Sequence, residues 1–167
     1  MRKREELKVG DAAPAFEAMA VGGEYGEGQN VTLRDFRRST VVLYFYPKDD
    51  TPGCTTEACG FRDHEADMAK EHAKVLGVST DSLPSHEKFK EKHHLNFPLL
   101  SDETSDVAKM YGVWKEKNMY GRRTWGVART TFWIGTDGRI KKIYKKVDTA
   151  NHAEQILNEL HAAHAKK

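Results

Sequence analysis

Cysteine is scarce in this chain: two residues in 167, Cys54 and Cys59. So few exclude a disulfide-stapled framework, and no cysteine–histidine pairing has the spacing of a zinc finger. Proline is rare as well, with five residues and none beyond Pro98. Charge of one sign is nearly absent in excess: 27 Lys and Arg against 25 Asp and Glu give a formal +2. That imbalance is too small to argue for nucleic acid or a membrane surface as a partner. No apolar run approaches the roughly 18 residues of a membrane helix. The opening Met1-Arg2-Lys3-Arg4-Glu5-Glu6 has no apolar segment behind it, so no secretory leader is expected. Two cysteines in a chain without export signals point to a reducing compartment, the cytoplasm. The length suits one domain over residues 1–167 with a sizeable core, residues 1–6 and 162–167 being expected as loose tails.

What is present centres on those two cysteines. The apolar stretch Val41-Val42-Leu43-Tyr44-Phe45 reads as a buried strand, followed by Tyr46-Pro47-Lys48-Asp49-Asp50-Thr51-Pro52-Gly53-Cys54-Thr55-Thr56-Glu57-Ala58-Cys59. Thr51 is a candidate helix cap and Pro52 a first helical residue, where a missing N–H does no harm. Cys54 then falls in the first helical turn, where free N–H groups and the positive helix end stabilise a thiolate, the reactive form of cysteine. Asp49 and Asp50, just upstream, are expected to work against that ionisation.

The second cysteine is five positions on. Five residues of helix rise about 7.5 Å and turn about 140° beyond a full turn, leaving the Cα atoms roughly 8.7 Å apart. A disulfide tolerates at most about 7 Å. Either Cys54 and Cys59 never bond, or the first turns of the helix unwind when they do.

The remaining elements alternate. A helix is expected over residues 51–73 and a strand over 74–79. A charged helix should open at Pro84, with a short helix at 106–111. A strand is expected over 128–134, a hairpin signal at Thr136-Asp137-Gly138-Arg139 and a partner strand over 140–144. A final helix follows Asn151, with Ala153, Ile156, Leu157 and Leu160 as its apolar stripe. Gly22-Gly23-Glu24-Tyr25-Gly26-Glu27-Gly28 reads as the loop of an N-terminal hairpin, and no Gly-Lys-Ser/Thr follows to make it a phosphate loop. The order implies an α/β, thioredoxin-like fold with a central mixed sheet flanked by helices and an N-terminal hairpin extension. Of the eight histidines, His86, His93, His94, His161 and His164 sit among Lys and Glu on expected helix faces. No metal or other cofactor is called for.

Pro47-x3-Thr51-x2-Cys54 resembles the active-site signature of peroxiredoxins. The longer string through Ala58-Cys59 is similar to the bacterioferritin comigratory protein, or peroxiredoxin Q, group. Further landmarks agree: Val9-Gly10-Asp11-Ala12-Ala13-Pro14-Ala15-Phe16, Phe97-Pro98-Leu99-Leu100-Ser101-Asp102, Tyr111-Gly112-Val113-Trp114 and Arg129-Thr130-Thr131-Phe132. The resemblance implies a thiol peroxidase with Cys54 as nucleophile and Thr51 orienting the peroxide. It also implies that Pro47 shields the thiolate and that Arg129, placed on a strand, stabilises thiolate and oxyanion. Glu57, one turn after Cys54, is suited to hold the guanidinium of Arg129. The resemblance further implies that Cys54 sulfenic acid is resolved by Cys59 through a transient intramolecular disulfide. Thioredoxin or a similar dithiol reductant would recycle it, in a monomer. Gly53 and Gly60 bracket the segment that must unwind, each costing helix stability of about 1 kcal/mol relative to Ala.

Two readings compete. A thioredoxin-like dithiol–disulfide carrier would space its cysteines by two and place a proline before the late strand, and no proline lies near Thr130. A non-enzymatic redox sensor would need Cys54 without the Thr51 and Arg129 constellation.

Overall fold

Six successive residues, Thr40–Phe45 (β3), are buried and form a central strand of the sheet. They are β-branched or aromatic save for Leu43, the types that fit a pleated sheet covered on both sides. Their alternation separates two cores. Val42 and Tyr44 join Cys54, Ala58, Phe61 and Met68 on one face. Val41, Leu43 and Phe45 join Val107, Tyr111 and Phe132 on the other.

The structure is a computed structural model that describes residues 6–26 and 28–165, with the backbone alone at Met119. The elements are β1 (Glu17–Val21), β2 (Gln29–Thr32), β3, α1 (Pro52–Lys70), β4 (Ala73–Ser79), α2 (Leu83–His93), β5 (Leu99–Ser101), α3 (Asp106–Met110), β6 (Trp114–Met119), β7 (Arg122–Val127), β8 (Thr130–Ile134), β9 (Ile140–Tyr144) and α4 (His152–Ala165). One seven-stranded sheet runs β2-β1-β5-β4-β3-β8-β9, and β6 and β7 form a separate two-stranded ribbon. β3, β4 and β5 are parallel neighbours, whereas β8 adds to β3 antiparallel and β9 adds to β8 antiparallel. This is the expected mixed sheet flanked by helices, with the β1–β2 hairpin as its N-terminal extension.

The topology brings the end of β3, and hence the start of α1, beside the start of β8. Phe45 is opposite Thr130 in the register, so residue 129 faces the loop after β3. The later turns of α1 are held by aromatic packing: Phe61 stacks on Tyr44 with ring centroids 4.6 Å apart, and Tyr44 stacks in turn on Tyr46 at 5.4 Å. Among the described residues, no helix is long and apolar enough to cross a membrane.

Several expectations are corrected. The first helix ends at Lys70, because the chain turns through His72 at a positive φ of 57°. Arg129 lies in the link between β7 and β8, not on a strand. Residues 162–165 are not a tail. They continue α4, where His161 and His164 bond the Glu71 carboxylate at 3.0 and 2.6 Å. Glu6 pairs with Lys145 at 2.8 Å, while the rest of the expected N-terminal tail and residues 166–167 lie outside the described residues. β5, β6 and β7 were not foreseen.

Candidate functional site

Pro52, Gly53 and Cys54 are the first three residues of α1, and Thr51 precedes them with an extended backbone, φ −100° and ψ 156°. Thr51 occupies the cap position, but its hydroxyl makes no cap. It donates instead to the Lys48 carbonyl at 2.9 Å, tightening the loop. The first-turn N–H groups of α1 are therefore left without a side-chain cap.

Cys54 is 1 % exposed. Arg129 reaches it from the β7–β8 link: Nη2 donates to Sγ at 3.3 Å and Nη1 to Glu57 Oε1 at 2.6 Å. One planar guanidinium thus spans the sulfur and the carboxylate, which are one helical turn apart. Gly53 makes room for it. A Cβ there would sit 3.3 Å from Arg129 Nη2.

Glu57 is buried and its Oε2 has no hydrogen-bond partner. Burial pushes the Glu57 carboxyl up to about 7, against the opposing pull of Arg129. For Arg129 the balance is reversed. Burial works against its charge, yet Glu57 and Cys54 hold its pKa above the usual arginine value. The Tyr44 hydroxyl is likewise buried without a partner, and burial, then Glu57 and Cys54, push it well above the phenol range.

The structure brings Cys54, Thr51, Glu57 and Arg129 together at this helix entrance, with Pro47 half-buried at the loop before it. Cys59 lies further along α1, partly exposed, and both thiols are free. The two acids expected to oppose the thiolate are turned toward α2. Asp49 bonds Tyr46, Ser85 and His86, and Asp50 bonds Lys92 and His93. His86, expected among Lys and Glu on a helix face, is fully buried. Among the described residues, Asp49, Asp81 and His86 gather possible metal-ligand atoms within 4.8 Å of one another. Those atoms are engaged in hydrogen bonds among themselves and with Ser79, Ser85 and Tyr46.

Sequence reasoning missed Lys117 on β6. Its Nζ donates to the Val127 carbonyl at 2.6 Å and its side chain lies 3.5 Å from where a Cβ of Gly126 would stand. Burial, then the charge of Arg129, hold its ammonium below the usual lysine range, with Cys54 pulling the other way. No local pattern signals it, since Lys117 looks like one of several charges in a polar run. On the other face of β8 a cleft of about 120 Å³ abuts Arg129 and Thr130, walled by Tyr111, Val113, Phe132 and Ile143.

A buried sulfur beside a fixed cation, at a helix entrance with free N–H groups, suits attack on a polarisable bond whose leaving atom becomes negative. Comparisons with known proteins agree. Residues 9–143 match the AhpC/TSA family. The chain is similar to Peroxiredoxin Bcp of Bacillus subtilis, 44% identical over 154 residues that cover 92% of this chain and 95% of the relative. It resembles the crystal structure of a Xylella fastidiosa PrxQ variant, with a TM-score of 0.87, 36% identity and coverage of 96% and 99% of the two chains. It also resembles the Xanthomonas campestris bacterioferritin comigratory protein studied for alkyl peroxide reduction, with a TM-score of 0.81, 38% identity and coverage of 89% and 91%.

Proposed function

Since the chain belongs to the AhpC/TSA family, as a thiol-dependent peroxidase of the Bcp and peroxiredoxin Q type, we propose that Cys54 is its peroxidatic cysteine and Cys59 its resolving one. The carrying observation is the guanidinium of Arg129, 3.3 Å from Sγ of Cys54 and 2.6 Å from Glu57.

In this reading the Cys54 thiolate attacks one peroxide oxygen. The O–O bond breaks, its electron pair leaves with the other oxygen, and that oxygen takes up the proton lost when the thiol ionised. Arg129 donates hydrogen bonds to the sulfur and to the charge developing on the oxygens. Thr51 and the free N–H groups of the first turn orient the peroxide, and Pro47 limits water at the sulfur. Glu57 holds Arg129 flat. The products are water or an alcohol and Cys54 sulfenic acid.

The Cys59 thiolate then attacks the sulfenic sulfur, the S–O bond breaks as the disulfide forms, and the departing hydroxide takes up the proton that Cys59 lost and leaves as water. This requires the first turns of α1 to open, because intact helix spacing of about 8.7 Å exceeds the disulfide limit. A dithiol such as thioredoxin reduces the bond and closes the cycle. Both cysteines lie on one helix, so no second subunit is needed, and a cytoplasmic monomer is the simplest working form.

The test is steady-state peroxide consumption with a thioredoxin system. Cys54→Ser should abolish turnover, because an alcohol is not appreciably ionised at neutral pH. More than a few per cent of activity in that variant would rule Cys54 out.

A further inference from the structure

Asp49 and His86 are 37 positions apart and meet in the interior, Oδ2 to Nδ1 at 2.7 Å. His86 is fully buried and Asp49 nearly so. The other ring nitrogen, Nε2, faces the Leu100 carbonyl at 2.9 Å. With an oxygen atom facing each ring nitrogen, His86 is held from both ends of its ring.

The same carboxylate accepts from the Tyr46 hydroxyl at 2.6 Å and the Ser85 hydroxyl at 2.7 Å. The Asp49 N–H donates to Asp81 at 2.8 Å. The next residue, Asp50, has a positive φ of 56° and bonds Lys92 at 2.8 Å and His93 at 3.1 Å. Ser85, His86, Lys92 and His93 all belong to α2. Helix α2 thus grips residues 49 and 50 immediately before α1 opens at Thr51. None of these α2 groups touches the sulfur, and nothing in the chemistry proposed for Cys54 uses them.

We propose that His86 is a positioning residue for the peroxidase reaction. By holding Asp49 it fixes the upstream end of the segment that carries Cys54. The sulfur is thereby kept against Arg129 in the reduced protein, and unwinding toward Cys59 begins after Thr51 rather than in the loop. A backbone strained at Asp50 would otherwise relax, and the helix entrance would shift with it. This rests on the roles proposed above for Cys54 and Cys59.

The shape of histidine supplies the test. Asparagine at position 86 can present an N–H near the Nδ1 position and keep the Asp49 bond. Glutamine can present one near Nε2 and keep the Leu100 bond. Both leave comparable packing defects. In rapid mixing with hydrogen peroxide, followed by tryptophan fluorescence and by mass of the quenched protein, wild type should show sulfenic acid formation and then disulfide closure. His86→Gln should slow the first phase about tenfold and leave closure as fast or faster. His86→Asn should recover most of the first-phase rate, at a similar melting temperature. Asp49→Ala, which removes the acceptor of that bond, should behave like His86→Gln, and provides the same comparison should His86→Gln fold poorly. Equal first-phase rates in the Gln and Asn variants, or losses that follow melting temperature alone, would overturn the clamp. Failure of wild type to oxidise at Cys54 would overturn the reading beneath it instead.

Discussion

Arg129 Nη1 and Glu57 Oε1 lie 2.6 Å apart although 72 positions separate the two residues. The contact fixes the plane of the guanidinium, and with it the direction of the second donor toward Cys54. Lysine can replace the charge but not the fork. Arg129→Lys should therefore slow Cys54 oxidation about 10- to 100-fold, the loss of roughly 1.5–3 kcal/mol expected for a charge-assisted hydrogen bond. The melting temperature should fall by less than about 5 °C. Rapid-mixing fluorescence and thermal denaturation measure the two, and an unchanged second-order rate would refute the role.

Gly53→Ala should separate stability from activity. A helix gains up to about 1 kcal/mol when Gly becomes Ala. The added Cβ would stand 3.3 Å from Arg129 Nη2, so the guanidinium must give by a few tenths of an ångström. Peroxide reduction should drop several-fold while urea stability stays level or rises. A variant as fast as wild type would mean that the guanidinium tolerates the shift.

Glu57 gives a pH signature. Its carboxyl titrates at about 7 in the fold against an ordinary 4.5. Between those values the folded chain holds a proton that the unfolded chain has released, so stability falls as pH rises through this window. The contribution is full below about 4.5 and gone above about 7. Glu57→Gln removes the titration. Compared with wild type, the variant should gain about 1–3 kcal/mol between pH 5 and pH 8 in urea unfolding. A difference that stays flat across that range would contradict it.

Disulfide formation should open the start of α1 and stop at Phe61. That ring is fully buried and stacked on Tyr44, so the turns beyond it stay down. By hydrogen exchange with mass spectrometry, the reduced protein should protect amides from Glu57 to Arg62 and the disulfide form should lose that protection. Cys59→Ser should keep it after one equivalent of peroxide and over-oxidise more readily. Equal protection in reduced and disulfide protein would remove Cys59 from the resolving role.

The candidate nucleophile Cys54 was legible because its signal is local: an apolar strand, a Thr-Pro helix entrance and the cysteine lie within fifteen residues. Arg129 was legible only through resemblance, and its strand placement was wrong by one residue because the apolar run around it continues past the end of β7. The β6–β7 ribbon escaped notice. Trp114, Trp125 and Val127 share one face with Glu116, Asn118 and Arg123, so no clean alternation shows, and its turn is marked only by Tyr120 and Gly121 at positive φ. β5 is three residues long and carries no period. His86 looked like one more polar residue among lysines. Its burial depends on Asp49, whose approach is decided by the parallel pairing of β3 with β4 and of β4 with β5 rather than by any neighbour in sequence. The hydroxyl of Thr51 satisfies the cap pattern, yet the loop carbonyl of Lys48 wins it.

The 75 positions between Cys54 and Arg129 also bear on biosynthesis. Synthesis runs from the N-terminus, so the cysteine leaves the ribosome well before the arginine that serves it has been made. A nascent chain of 128 residues carries the thiol and Glu57 without the cation or strand β8. On the role proposed for Arg129, rapid oxidation should wait until the sheet closes, and its recovery during refolding would time the docking of β8 on β3.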